Sequence, residues 1–393
     1  MDCPGIYISI PFCTQKCTYC NFASDVHPVS LLEPYLTALS KEIRQHGQLL
    51  HTDSGDGFAG TAVDSIYLGG GTPGLLEQGQ LASLLSVVRN DFDVILDAEI
   101  TLETSPENVT PSMATAWARC GVNRVSIGVQ SMVETELRAV GRRHGAATVT
   151  GAFQNLREAG IGNISVDLIA GLPHQTQESW QESLEQLVAL GPQHFSVYML
   201  EVDENSRLGS QLLRQGSRYG AGKVPSEEII IVLFRRAMET LGRAGFVHYE
   251  ISNYALPGKQ SVHNEKYWTG APFYGFGLDA HSDYGDRRRS NTDSLPVYLE
   301  KMGQELAPVA DETRLTDRHR LEERFFLGLR RRDGITLSQI DQQFGVRTAE
   351  QFSESIQRFL SAGWLVAEAE GDRLRLTDEG ILFSNEVFAG FIQ

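Results

Sequence analysis

Three cysteines, Cys13, Cys17 and Cys20, stand at spacings of four and three residues within one short stretch, IPFCTQKCTYCNF. Thiolates at this density suit an iron–sulfur cluster or zinc. A structural zinc site takes four ligands, usually from two separated pairs. Here there is no second pair, and His27 is the residue that could complete a set. A disulfide framework fits poorly, because three is odd and Cys3 and Cys120 lie apart. A cubane cluster held by three thiolates leaves one iron without a protein ligand. That iron can take the amino and carboxylate groups of S-adenosylmethionine, and an electron from the cluster then cleaves a carbon–sulfur bond to yield a 5′-deoxyadenosyl radical.

Other polar residues fall where such a cofactor would need them. Gly69–Pro73 reads GGGTP after an apolar run, and glycines let a backbone approach a ligand closely. Glu103 ends another run and could accept both ribose hydroxyls of an adenosyl group; its bland reading is an exposed acid. Gln130 and Ser131 follow a third run. In VGRRHG, Arg142 could meet a carboxylate through a bidentate fork, and Arg143 is its undistinguished neighbour. Asp167 sits inside an apolar run, where a buried acid needs a partner: it is either a structural pair for an arginine or a cofactor ligand. HNEKYW places His263 beside Tyr267 and Trp268, as an axial haem ligand with aromatic packing would require. From composition alone, a histidine held in a polar network at a domain seam outweighs that reading. His281 is a weaker candidate.

The elements that must position these groups alternate. Apolar runs of strand length occupy Ile6–Ile10, Ser65–Leu68, Glu99–Glu103, Arg124–Val129, Ser165–Ile169 and Phe195–Met199. Amphipathic stretches lie near 31–46, 77–89, 110–119, 148–159 and 176–190. This order predicts consecutive βα units around a parallel sheet, with functional groups on the loops at the carboxyl ends of the strands. The alternation weakens after Leu200, which favours a partial barrel of six units over eight. The segment 47–64 reads as a surface loop. GFGLDA nominally fits a dinucleotide fingerprint but opens no helical pattern, so that reading is rejected. Beyond Thr316 the order is helix, helix, helix, hairpin and closing helix, with the hairpin turn at Glu370–Asp372. That order is winged-helix-like.

With 393 residues the chain can build a large domain and a smaller one. The expected division is 1–215 for the partial barrel, 216–310 for an extension carrying HNEKYW, and 311–393 for the winged-helix-like module. A formal charge of −16 argues against nucleic acid as a partner. No export signal or spanning segment is visible, and a reduced thiol cluster suits the cytoplasm. Peripheral membrane contact stays open.

The motif C-x-x-x-C-x-x-C is the signature of the radical S-adenosylmethionine superfamily. The blocks IPFCxxxCxYCxF, GGGTP, ETxPEN, RVSIGVQS, GRRH, DLIAGLP, YEISNYA and GxGxxAHS extend the likeness along essentially the whole chain. It resembles the oxygen-independent coproporphyrinogen III oxidase family, and within it the branch of haem chaperones. The resemblance implies an α/β fold: a partial (β/α)6 TIM-like barrel followed by a family-specific C-terminal domain. It implies that Cys13, Cys17 and Cys20 hold a [4Fe-4S] cluster. It further implies that Tyr7, Tyr19, Gly70, Gly71, Thr72, Glu103, Gln130, Arg142 and Asp167 contact S-adenosylmethionine. The oxidases carry a fourth cysteine two residues after the last cluster ligand and an N-terminal extension. Here that position is Phe22, and five residues precede the first strand. HNEKYW instead matches the HNxxYW motif of the chaperones, where it is associated with haem. The resemblance therefore implies haem, with His263 as its ligand candidate, and delivery to apo-haemoproteins of the respiratory chain. It also implies a homodimer linked to the cluster.

Overall fold

The computed structural model describes residues 3–52 and 62–392. Apolar side chains alternate with polar ones along its parallel strands, and the two faces have opposite fates. Ile6, Ile8, Ile10, Ile66, Leu68, Ile100, Leu102, Val125 and Ile127 are all buried in one continuous core beneath the helices. Tyr7, Ser9, Ser65, Tyr67, Thr101, Glu103, Arg124, Ser126, Ser165 and Asp167 occupy the intervening positions. The period of two therefore sends the aliphatic residues outward to the helices and leaves a polar lumen on the concave side.

The strands β1 (Gly5–Ile10), β2 (Val63–Gly70), β3 (Val94–Thr104), β4 (Arg124–Gln130), β5 (Asn163–Ala170) and β6 (His194–Met199) pair in parallel and in chain order. The helices between them are α1 (Leu32–Thr52), α2 (Gln78–Asp91), α3 (Pro111–Cys120), α4 (Glu134–Ala139), α5 (Ala146–Glu158) and α6 (Gln177–Leu190). The expected six-stranded partial barrel is borne out. The stretch read as a surface loop over 47–64 differs in part: α1 continues to Thr52 and β2 begins at Val63, while 53–61 lie outside the described residues.

After α7 (Arg207–Leu213) and α8 (Glu227–Arg243), the chain extends the same sheet at both flanks. Strands β7 (Val247–His248) and β8 (Asn253–Ala255) add antiparallel beyond β6. The helix α9 (Val262–Thr269) follows, and β9 (Phe273–Phe276) then joins β1 in parallel. Strands β10 (His281–Tyr284), β11 (Arg287–Asn291) and β12 (Val309–Arg314) continue antiparallel, with α10 (Leu295–Gly303) before the last. The sheet runs β12-β11-β10-β9-β1-β2-β3-β4-β5-β6-β8-β7 and stays open. GFGLDA begins inside β9 and turns into β10 with no helix behind it.

Helices α11 (Asp317–Arg330), α12 (Leu337–Phe344) and α13 (Ser353–Ser361) pack with the sheet β13 (Ile335–Thr336), β14 (Leu365–Glu368) and β15 (Arg373–Leu376), in the order β13-β15-β14. This is the winged-helix-like module. The first helix ends at Arg330, where Arg331 leaves it for an isolated antiparallel bridge to Glu250 and the chain turns towards β13. Two short helices, α14 (Asp378–Leu382) and α15 (Ser384–Ala389), close the module.

Candidate functional site at the mouth of the barrel

Pro11 ends β1, and the cysteine loop springs from the carboxyl end of the sheet. The loop is tied down at several points. Cys13 N donates to Asp25 O at 3.0 Å, and Asp25 N donates to Pro11 O at 3.0 Å. Thr18 N donates to Val140 O at 3.2 Å, and Thr18 O accepts from Leu208 N at 2.7 Å. Asn21 reaches Asp203 at 2.8 Å, and Arg207 holds the Lys16 carbonyl. The three thiols are half-buried, and none of the chain's cysteines is in a disulfide. Desolvation pushes the Cys13 thiol up. The Thr72 hydroxyl lies 3.8 Å from Cys13 Sγ. His27 packs edge-on against Phe12, with ring centroids 5.5 Å apart. Among the described residues no three His, Cys, Asp or Glu side chains converge on one metal-ion position. A cubane engages each thiolate through a different iron, so its ligands need no such convergence.

GGGTP runs directly beside this loop. Gly71 N donates to Ile10 O and Thr72 N to Phe12 O, each at 2.9 Å. A Cβ on Gly71 would lie 2.7 Å from Ile10 O and 2.8 Å from Phe12 O, both backbone atoms that cannot give way. Only glycine permits this approach.

Arg142 and Arg143, inseparable by sequence, are separated here. Arg143 is exposed. The Arg142 guanidinium donates to the Tyr19 hydroxyl at 3.0 and 3.3 Å and to Ser105 Oγ at 3.2 Å. Tyr19 and Arg142 thus form one unit, and desolvation holds the Tyr19 phenol above its ordinary range. A cavity of 880 Å³ opens beside them, with Lys16, Cys20, Arg138, Arg142, Arg143 and Arg207 in its wall.

Deeper in the lumen, Tyr67 donates to Glu103 Oε1 at 2.7 Å. Desolvation pushes the Glu103 carboxyl up to about 7, against the opposing bonds from Tyr67 and the Gly70 N–H. Tyr7 stacks near Tyr67, with centroids 6.2 Å apart. Asp167 accepts from Ser126 at 3.2 and 3.4 Å, and Ser196 bonds it from the other side. Desolvation raises this carboxyl too, with Arg124 and Arg142 pulling against it. Two serines thus cradle Asp167, and Arg124 and Arg142 act on it through their charge. Gln130 is buried with φ +67, and its Oε1 has no hydrogen-bond partner among the described residues. A Cβ on Gly128 would meet Gln130 Nε2 at 3.0 Å and Arg142 Nη2 at 3.2 Å. An orphaned buried oxygen, a cradle open only because Gly128 has no side chain, and free thiols at the mouth fit a cluster-bound adenosyl cofactor.

Residues that sequence reasoning missed complete the lumen. Tyr67, Ser105, Ser126 and Ser196 hold the named groups, and Arg124, only 1% exposed, faces Glu99 at 3.9 Å. For Tyr67, Arg124, Ser126 and Ser196 the signal was the polar alternation within strands read as apolar runs; Ser105 lies just after β3 and had none.

His263 sits at the opposite end of the lumen from the thiols. Its Nδ1 is 3.1 Å from Ser65 Oγ and its Nε2 is 2.9 Å from the Tyr267 hydroxyl. The imidazole is 1% exposed, and desolvation lowers its pKa to about 3, with Lys266 and Arg124 adding to the effect. It is held neutral in a polar network. Iron ligation through Nε2 would require the Tyr267 hydroxyl to leave. His281 opens β10 and is exposed.

Fold and site together define a radical S-adenosylmethionine scaffold, and comparison with known proteins agrees. Residues 7–187 match the radical SAM superfamily, and residues 315–383 match the HemN C-terminal domain. The solved coproporphyrinogen III oxidase (HemN) from Escherichia coli superposes with a TM-score of 0.86 at 23% identity, covering 99% of this chain and 90% of that one. The heme chaperone HemW of Bacillus subtilis (strain 168) is 31% identical over 387 residues, 98% of each chain. That of Lactococcus lactis subsp. lactis (strain IL1403) is 30% identical over 98% of this chain and 96% of its own. That of Escherichia coli (strain K12) is 35% identical over 70% of this chain and 69% of its own. The chain belongs to the HemW family of haem chaperones.

Proposed function

We propose that this protein is a haem carrier that retains a radical cofactor site. It binds haem and hands it to apo-haemoproteins, with those of the respiratory chain as recipients. The reading rests chiefly on full-length similarity to proteins named heme chaperone HemW. Cys13, Cys17 and Cys20 would hold a [4Fe-4S] cluster. Gly70, Gly71 and Thr72 would approach the methionine end of S-adenosylmethionine. Arg142, positioned by Tyr19 and Ser105, would meet the cofactor's carboxylate. Glu103 would accept its ribose hydroxyls, with Tyr7, Gln130 and Asp167 lining the remainder. When bound, the pair supplies an adenosyl radical on reduction.

The complete set of lumen residues favours a second reading, oxidative decarboxylation of coproporphyrinogen propionates. Against it stands Phe22, 66% exposed, where the oxidases place a fourth cysteine. Among the described residues no helix is long and apolar enough to cross a membrane. The test is haem titration of the full chain, followed by transfer to an apo-haemoprotein. A stoichiometric complex that loses its haem to the acceptor is expected; absence of a complex would overturn the proposal.

A further inference from the structure

Strand β4 is irregular at its end. Its register with β5 shifts between Gly128 and Gln130, so Val129 drops out of the pairing as a bulge. Gln130 follows with φ +67, a backbone conformation that residues other than glycine rarely adopt. Ser131 N donates back to Val129 O at 2.9 Å and closes a three-residue turn around it. Strain of this kind persists only where the surroundings hold it in place.

His144 supplies the hold. It arrives from the loop between α4 and α5, is buried, and places Nε2 2.9 Å from the same Val129 carbonyl. A carbonyl only accepts, so Nε2 carries the proton and donates. The other nitrogen, Nδ1, faces Glu107 Oε2 at 3.5 Å and makes no hydrogen bond among the described residues. Burial would raise the Glu107 carboxyl, but His144, the turn's own N–H and Arg142 outweigh it and hold it below its ordinary range. His194 and His263 differ: their ring nitrogens meet hydroxyls, which can donate as well as accept.

ETSPEN and GRRH meet at this point. Ser105 and Glu107 stand two residues apart in the turn after β3, and Arg142 and His144 two apart in the facing loop. Arg142 Nη1 donates to Ser105 Oγ at 3.2 Å while His144 pairs with Glu107, so the turn and the loop are joined by two rungs. Gln130 Nε2 and Arg142 Nη2 converge beside Gly128, where a Cβ would meet them at 3.0 and 3.2 Å. We propose that His144, backed by Glu107, is a positioning residue for the S-adenosylmethionine site: it holds the Val129 carbonyl so that the unpartnered Gln130 Oε1 faces the cofactor beside Arg142. The inference rests on the cofactor assignment above and adds the device that aims it.

The test titrates the full chain, with its cluster reconstituted anaerobically, against S-adenosylmethionine in a calorimeter. His144→Leu keeps a buried side chain but loses the donor, and binding about tenfold weaker is expected with iron and sulfide content unchanged. His144→Gln can present an amide N–H near the place of Nε2, and recovery to within about threefold of wild type is expected. Glu107→Gln, at the exposed end of the couple, repeats the comparison without disturbing the core, and binding about threefold weaker is expected. Gln130→Ala separates positioning from general damage: in that background His144→Leu should cost less than about twofold, because the group it aims is gone. The same tenfold loss in both backgrounds, wild-type affinity in His144→Leu or Glu107→Gln, or no recovery in His144→Gln would overturn the proposal. Reconstituted wild-type protein that binds no S-adenosylmethionine would overturn the cofactor reading beneath it.

Discussion

The Tyr67 hydroxyl donates to Glu103 Oε1 at 2.7 Å, and this bond opposes the desolvation of the buried acid more strongly than the charge of Arg124 does. Desolvation pushes Glu103 up to about 7, so its protonation changes near neutrality. As a carboxylate it offers acceptors to a ribose diol; protonated, it competes as a donor. Affinity for S-adenosylmethionine should therefore rise as pH increases between about 6 and 8. Glu103→Gln should bind weakly and lose that dependence. Calorimetric titration across this range checks it, and an unchanged profile in the variant would remove Glu103 from the ribose.

Arg142 meets Tyr19 and Ser105 with geometry that a lysine cannot reproduce. Arg142→Lys should weaken cofactor binding by about 1–3 kcal/mol while leaving cluster iron and sulfide intact. Arg143→Lys, at the exposed neighbouring position, should leave both cofactor binding and cluster content unchanged. Equal effects at the two positions would contradict the assignment.

A methyl group at Gly71 collides with the backbone carbonyls of Ile10, the last residue of β1, and Phe12, at the start of the cysteine loop. Gly71→Ala should destabilise the protein by about 1–3 kcal/mol and lower cluster loading, because the loop must shift to admit it. Denaturant unfolding together with iron analysis measures both. Normal loading would show that the loop tolerates displacement.

His263 is neutral and hydrogen-bonded at both ring nitrogens, with its pKa lowered to about 3. Between that value and the ordinary one near 6.5, the unfolded chain binds a proton that the folded chain refuses. Its contribution to stability is therefore full above about pH 6.5 and falls as pH drops towards 3. His263→Gln should reduce the acid slope of the melting temperature. His263→Ala should cost about 2–3 kcal/mol at neutral pH by stranding Ser65 and Tyr267. Thermal melts over a pH series read both effects.

How far the sequence reaches can be judged element by element. The parallel strands were legible because Ile6, Ile8 and Ile10 and their counterparts repeat an aliphatic outward face between amphipathic helices. The flanking strands were not. Val247–His248 and Asn253–Ala255 are too short to make a run, and Arg287–Asn291 is charged because its partners across the sheet are acids such as Glu312. The thiol loop was legible from spacing alone. Choosing Arg142 over Arg143 was not, since it depends on which residue Tyr19 and Ser105, distant in sequence, can reach. His263 and Trp268 are five positions apart on one helix, and only the packing of α9 between sheet and C-terminal module assigns them to different spaces.

The central claim is that this chain carries haem and does not process its precursor. The most direct test is an anaerobic assay of protein with a reconstituted, quantified cluster, given S-adenosylmethionine, a reductant and coproporphyrinogen III. The account predicts no protoporphyrinogen from a preparation that binds haem in a defined stoichiometry. Catalytic formation of protoporphyrinogen by the same preparation would contradict it and make the protein a decarboxylating oxidase with Phe22 in place of the fourth cysteine.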